Sequence, residues 1–268
     1  MFSAHPLHGK RLVIMGGTTG LGLSAAKALV NAGAFVVLVG RDPANCAAAE
    51  KALSGAALTL AADATDSATA PRAIALAAER WGGLDGLYHV AGGSGRRLGD
   101  GPLHEMTDEG WRATLDLNLT SLAFSNRAAI RQFLAQGTGG VILNMGSVLG
   151  FSPSPQFFAT HAYAAAKSAV IGFSKALAAY YAPRGIRVNV LAPGLVETPM
   201  SQRAAADPAI MEFVRTKQPL EGGRIGTPAD LDAAVVYFLS DAAKFTTGQV
   251  LAVDGGWSVS EGQNPECP

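Results

Sequence analysis

A short apolar run that breaks into spaced glycines and then into an amphipathic helix limits, more than any other feature, how this chain can fold. In RLVIMGGTTGLGLSAAKALVNAG, residues 12–15 read as a strand, and Leu21, Ala25, Ala28 and Leu29 line one face of the helix that follows. Between them Gly16, Gly20 and Gly22 give G-x-x-x-G-x-G. Glycines there let the backbone turn tightly and come close to a bound group. The helix start aims unpaired N–H groups and the positive end of its dipole at an anion such as a pyrophosphate. Spaced glycines alone are a weak signal, because many strand-to-helix turns are glycine-rich. The position, after the first strand and at the opening of the first helix, makes it specific.

A second pattern supplies chemistry. Tyr163 and Lys167 stand as Y-x-x-x-K in HAYAAAKSAV, and four residues are about one helical turn, so both side chains share a face. A cation about 4 Å from a phenol in a partly desolvated site contributes on the order of 4 kcal/mol, roughly three pKa units. The expectation is that Lys167 lowers Tyr163 toward neutrality, where it can act as a general acid or base.

Composition narrows the alternatives. With 268 residues, 49% of them hydrophobic, the chain can bury a large core, and VVLV, VILNM and VLAV are the apolar runs that a parallel sheet covered on both faces requires. Lysine plus arginine equals aspartate plus glutamate at 21 each, so no net field draws nucleic acid or an anionic membrane. Cys46 and Cys267 stand far apart with no C-x-x-C spacing, and no metal-ligating cluster is read. No apolar signal core or spanning run is evident, so a soluble, cytoplasmic protein is expected. Strands and helices alternate from Arg11 to Trp257 without a low-complexity linker. The expectation is one domain over 1–257 and a polar tail, 258–268, lying as a surface arm.

Taken in order, the motifs resemble the short-chain dehydrogenase/reductase family in its compact form, over nearly the whole chain. FVVLVGRD at 35–42 matches the second strand and the cofactor-selecting loop. AADATD at 61–66 matches the end of the third strand, with Asp63 at the adenine-side acid. GLYHVAGG at 86–93 sits where the family has a fourth strand and an N-N-A-G turn. LDLNLTS at 115–121 carries Asn118, and NMGSVLG at 144–150 carries Ser147. RVNVLAPGLVETPM at 187–200 matches the strand and P-G-x-x-x-T segment beside the nicotinamide, and GQVLAVDGGW at 248–257 the last strand.

The resemblance implies an α/β fold: a Rossmann-type doubly wound parallel sheet of about seven strands with helices on both faces. It implies hydride transfer between a nicotinamide and a ketone or secondary alcohol. Tyr163 would be the acid or base, and Lys167 would lower its pKa and hold the nicotinamide ribose. Ser147 would steady the substrate oxygen, and Asn118 would hold a water relaying protons from Lys167. The cofactor would lie against Gly16, Thr18, Gly20, Leu21, Gly22, Arg41, Asp63, Ala64, Ala91, Gly92, Pro193, Gly194, Val196 and Thr198, besides Tyr163 and Lys167. A cofactor-sensing module, or a dehydratase or epimerase on the same fold, is the alternative. The intact proton machinery argues against a sensor.

Three departures bear on detail. Met15 replaces the threonine that usually precedes the first glycine, and His89 and Val90 replace the two asparagines of N-N-A-G. His89 reads as a satisfied core histidine, or else as a second titrating group. Ser147 and Tyr163 lie 163 − 147 = 16 positions apart, a longer loop than usual. Cofactor choice rests on Gly40, Arg41 and Asp42. A glycine where NAD enzymes carry an acid, followed by arginine, favours NADP(H), whereas a one-residue slip would make Asp42 the ribose acid and leave NAD(H).

Segments 94–101, 149–162 and a lid over 197–223 would line the substrate site. Arg96 and Arg97 there read as attractors of a carboxylate or a carrier-protein phosphopantetheine, or as solvated loop residues. Phe151, Phe157, Phe158 and Met200 suggest a clamp for a bulky apolar ketone or alcohol; the alternative is that the phenylalanines pack inward and anchor the loop. The helices around 116–135 and 163–182 are expected to pair with their copies in a homo-tetramer or dimer, burying Leu122, Phe124 and Tyr180.

Overall fold

The structure is a computed structural model that describes residues 5–262. Seven strands form one parallel sheet: β1 Arg11–Met15, β2 Phe35–Gly40, β3 Ala57–Ala61, β4 Gly86–His89, β5 Gly140–Met145, β6 Ile186–Pro193 and β7 Val250–Val253. Their order is β3-β2-β1-β4-β5-β6-β7, so the winding reverses between β1 and β4. In open α/β sheets the crevice beyond the carboxyl ends of the strands at such a reversal is where ligands bind.

Nine α-helices occur among the described residues: α1 Gly20–Asn31, α2 Pro43–Ala52, α3 Thr69–Trp81, α4 Asp108–Leu115, α5 Ser121–Gln136, α6 His161–Tyr181, α7 Gln202–Ala205, α8 Pro208–Lys217 and α9 Asp232–Leu239. Local chemistry starts and stops several of them. Asp42, with Pro43 at the first helical position, caps α2 by accepting from the Ala44 N–H. Gly82 ends α3 and Gly137 ends α5, both in the left-handed region that glycine enters without strain.

Because successive strand residues point to opposite faces, each strand feeds two cores. Leu12, Ile14, Val36 and Leu38 join Ala25, Ala26 and Leu29 of α1 and Val235, Phe238 and Leu239 of α9. Val13, Met15, Val37 and Val39 join Ala73, Ile74 and Ala77 of α3 and Ala129, Ile130 and Phe133 of α5. Both faces are therefore covered, which is why these strands are unbroken apolar runs. Each fully buried aliphatic side chain contributes about 2 kcal/mol.

The sheet-facing stripe of α1 is Gly22, Ala25, Ala26 and Leu29; Ala28, expected inside, is only half-buried. Gly22 sets that rotation, because a Cβ there would overlap the Gly16 carbonyl oxygen. The helix expected over 116–135 also starts differently. A five-residue π-turn, Asp116–Thr120, joins α4 to α5 and contains Asn118. Single π-turns inside helices recur at functional sites. The near part of the tail does not stand away as an arm. The Ser260 hydroxyl donates to the Thr216 carbonyl at 2.9 Å and the Ser260 carbonyl accepts from Lys217, both at the end of α8. Residues 263–268, including Cys267, lie outside the described residues. Among the described residues no helix is long and apolar enough to cross a membrane.

Candidate active site

The glycine turn opens the crevice. Gly16 has φ +83° and Gly20 φ +50°, values costly for any side-chain-bearing residue. A Cβ on Gly16 would stand 2.8 Å from the Ala91 nitrogen, so the turns after β1 and β4 press together at the reversal. The Val90 and Ala91 N–H groups both donate to the Met15 carbonyl at 2.9 Å. Thr19 at the start of α1 makes no side-chain cap, and the first turn carries no acid. That helix end thus keeps free donors and no repelling charge, the requirement for a bound phosphate, and the residues fit a dinucleotide.

Thr18 is buried against Gly40 at the end of β2, and a Cβ at position 40 would overlap the Thr18 hydroxyl. Arg41 is exposed just beyond, close enough to Asp63 to help hold that carboxyl below its ordinary range, after the stronger pull of the Thr65 N–H. Asp42 spends both oxygens on its own helix, accepting from Ala44 at 2.8 Å and from the Asn45 amide at 3.2 Å.

The proton-handling residues meet at the ends of β5 and α6. Ser147 follows β5, is buried, accepts from the Leu149 N–H at 3.2 Å and stands beside the Tyr163 phenol, close enough to oppose the rise in its pKa. Lys167, one turn along α6, is 2% exposed and sits 5.5 Å from the centre of the Tyr163 ring. Its ammonium donates to the Met145 carbonyl at 2.8 Å. Gly92 lies between Asn118 and Lys167: a Cβ there would be 2.7 Å from the Asn118 Oδ1 and 3.6 Å from the Lys167 Nζ. Asn118 in turn donates to the Gly93 and Thr114 carbonyls, each at 2.9 Å, and accepts from the Gly93 N–H at 3.1 Å. All four residues expected from the sequence are thereby brought together.

The electrostatics differ from the expectation. Tyr163 keeps partial exposure, and burial pushes its pKa up, with Ser147 opposing. Lys167 does not bring it toward neutrality. Burial instead lowers the lysine itself to about 8. The ammonium donates to the Met145 carbonyl and stands 5.5 Å from the Tyr163 ring centre.

His89 is a core histidine. It is buried, with Nδ1 2.7 Å from the Ser125 hydroxyl and Nε2 3.4 Å from that of Ser121. Burial, then the nearby Lys167, pushes its pKa down to about 3, so it stays neutral and does not titrate near pH 7.

Two bracing residues gave no signal in the sequence. Asp100 accepts from the Ala162 and Tyr163 N–H groups at 3.0 and 2.9 Å, which fixes the first turn of α6. Buried Gln218 accepts from the Leu195 N–H at 2.5 Å and donates to the Leu195 carbonyl at 3.2 Å. It thereby holds the segment after Pro193, where a Cβ on Gly194 would strike its side-chain oxygen. Val196 pairs with Gly226, and the Thr198 N–H donates to the Ser201 hydroxyl at 2.9 Å.

Phe157 and Phe158 pack inward, whereas Phe151 and Met200 stay exposed. Phe157 meets Phe213 of α8 at a tilt with ring centres 5.2 Å apart, Phe158 meets Trp257 at 5.6 Å, and Phe213 meets Trp257 at 5.6 Å. Phe157 and Phe158 therefore tie the loop to the lid and do not form the apolar clamp. Area buried among the aromatics outweighs exposure to a site.

Residues 16–258 match a family described as enoyl-(acyl carrier protein) reductase. The chain is similar to a short-chain type dehydrogenase/reductase from Mycobacterium ulcerans, with a TM-score of 0.87 and 31% identity, covering 95% of this chain and 91% of that one. It belongs to the short-chain dehydrogenase/reductase family. As a short-chain dehydrogenase/reductase it is an oxidoreductase that works with a nicotinamide dinucleotide. Among its relatives is the 2,5-dichloro-2,5-cyclohexadiene-1,4-diol dehydrogenase LinX of Sphingobium indicum, 36% identical over 259 residues, 96% of this chain and 99% of that protein. Another is galactitol 2-dehydrogenase (L-tagatose-forming) of Cereibacter sphaeroides, 36% identical over 255 residues, 94% and 96% of the two chains.

Proposed function

We propose that this short-chain dehydrogenase/reductase interconverts a secondary alcohol and a ketone with NADP(H), using Tyr163 as the acid and base. The observation that carries the reading is the meeting of Tyr163, Ser147, Lys167 and Asn118 beside Gly92. Bound nicotinamide supplies or accepts the hydride. Tyr163 passes the proton to or from the substrate oxygen, and the Ser147 hydroxyl donates to that same oxygen as charge develops on it. Lys167 holds a positive charge at neutral pH, since its pKa of about 8 lies above 7. It steadies the ribose and, through a water at Asn118, resupplies the proton. The relatives' names support the substrate class, because a cyclohexadiene-1,4-diol and galactitol at carbon 2 both offer a secondary carbinol.

Three features favour NADP(H) over NAD(H). Gly40 and Thr18 fill the place where a ribose-binding acid would stand, Arg41 is free to meet a 2′-phosphate, and Asp42 is committed to capping α2. The test is a panel of cyclic and open-chain ketones and secondary alcohols, followed by nicotinamide absorbance with NADPH and NADH in parallel. Turnover of ketones with NADPH preferred supports the reading, and turnover only with NADH overturns the cofactor assignment. Dehydration or epimerisation without net change in nicotinamide overturns the reaction.

A further inference from the structure

We infer that Arg96 and Arg203 form a clamp for a carboxylate on the substrate, which narrows the alcohol or ketone to a hydroxy or keto acid. The inference rests on the oxidoreductase reading for its chemistry, but the clamp itself is a statement about binding.

Three segments from different parts of the chain converge on one backbone oxygen. Arg96, in the turn after β4, donates to the Phe157 carbonyl at 3.0 Å. Arg203, on α7 in the lid, donates to the same carbonyl at 3.4 Å. Phe157 itself lies in the loop between Ser147 and Tyr163. A guanidinium carries five N–H donors, and each arginine uses one here, so most of the donor set remains free.

Neither cation is ion-paired. Among the described residues neither arginine lies within ion-pair distance of a carboxylate. Asp100 is the acid that attracts Arg96, yet both its oxygens already accept from the N–H groups of Ala162 and Tyr163. Partial burial, and then Arg203, hold the Arg96 guanidinium below its ordinary pKa. Two like charges brought together over one carbonyl cost free energy that a bound anion offsets.

Both arginines lie on chain segments next to those that carry the site residues. The same turn that carries Arg96 places Asp100 on the N–H of Tyr163, and Arg203 follows directly on the Thr198–Ser201 turn after β6. A carboxylate is planar and matches the forked donors of guanidinium, which favours it over a neutral polar group. Arg97 differs from its neighbour, being exposed and making none of these contacts.

Binding is the direct test, because it does not require turnover. Cyclohexanecarboxylate, cyclohexanecarboxamide and cyclohexylphosphonate are titrated calorimetrically into the full chain with saturating NADPH and, separately, NADH. The acid binds about tenfold or more tighter than the amide, as expected for charge-assisted pairs. Arg203→Gln and Arg96→Gln each remove most of that preference, Arg203→Lys keeps part of it, and Arg97→Gln leaves it in place. Arg203 is exposed on a short helix, so its variant reports even if Arg96→Gln fails to fold. Equal binding of acid and amide, an undiminished preference in Arg203→Gln, or an equal loss in Arg97→Gln overturns the clamp. Tighter binding of the phosphonate overturns the carboxylate assignment. Acid-selective binding without consumption of NADPH by any ketone overturns the oxidoreductase reading and leaves the clamp standing.

Discussion

At the scale of single residues, the site is governed by burial more than by pairwise charge. His89 shows this most clearly, since desolvation is the first cause of its depressed pKa of about 3. The sign of its contribution follows from linkage. An unfolded histidine binds a proton below about pH 6.5, while folded His89 does not until about pH 3, so stability is full above 6.5 and is lost as pH falls through that window. Relative to His89→Asn, the wild type loses about 1.4 kcal/mol per pH unit between roughly pH 6 and 4. Urea denaturation at stepped pH measures it, and parallel stability curves for the two proteins would contradict it. Arg41 is governed by exposure instead. Arg41→Ala weakens NADPH binding by about tenfold and spares NADH, as loss of one charge-assisted phosphate contact requires. Fluorescence titration of both nucleotides checks this, and equal loss for both would mean that Arg41 does not read the phosphate.

At the scale of elements, long-range polar contacts lock the strands and helices around the crevice. Asn144 on β5 and Asn126 on α5 exchange two amide hydrogen bonds of 2.9 Å, and Asn144 also donates to Ser174 on α6 at 3.0 Å. All three are buried, so Asn144→Leu leaves two polar groups without partners and costs about 2–4 kcal/mol. A chemical-denaturation midpoint shifted by less than about 0.5 kcal/mol equivalent would contradict that role. The glycine turn, the apolar strands and Y-x-x-x-K were legible in the sequence because their causes are local: a positive φ, a period of two, one helical turn. Asp100, Gln218 and Asn144 were not, because each acts on a partner 62, 23 or 18 positions away. The π-turn at Asn118 escaped as well, while the sequence left open whether Phe157 and Phe158 pack inward or line the site. Propensity gives the helix over 116–135, which forms, but not the π-turn at its start.

At the scale of the whole molecule, one expectation about assembly changes and another stands to be measured. Leu122 is already buried within its own chain, so it has no area to give an interface, whereas Tyr180 is 76% exposed and Phe124 half-buried. We propose that the outer faces of α5 and α6 pair with their copies in a dimer or tetramer around Phe124 and Tyr180. Light scattering at micromolar concentration then gives a multiple of the 27.4 kDa chain mass, and a monomer contradicts the pairing. The central claim is that this fold sets a phenol and a serine hydroxyl at one reacting oxygen beside a nicotinamide, with a lysine next to the phenol ring. Its most direct test is Tyr163→Phe, assayed for ketone-dependent NADPH oxidation alongside NADPH binding by titration. The account predicts a fall in kcat/KM of about a thousandfold or more with nucleotide affinity nearly unchanged, because only the proton donor is removed. A Tyr163→Phe enzyme that keeps near wild-type turnover would contradict it.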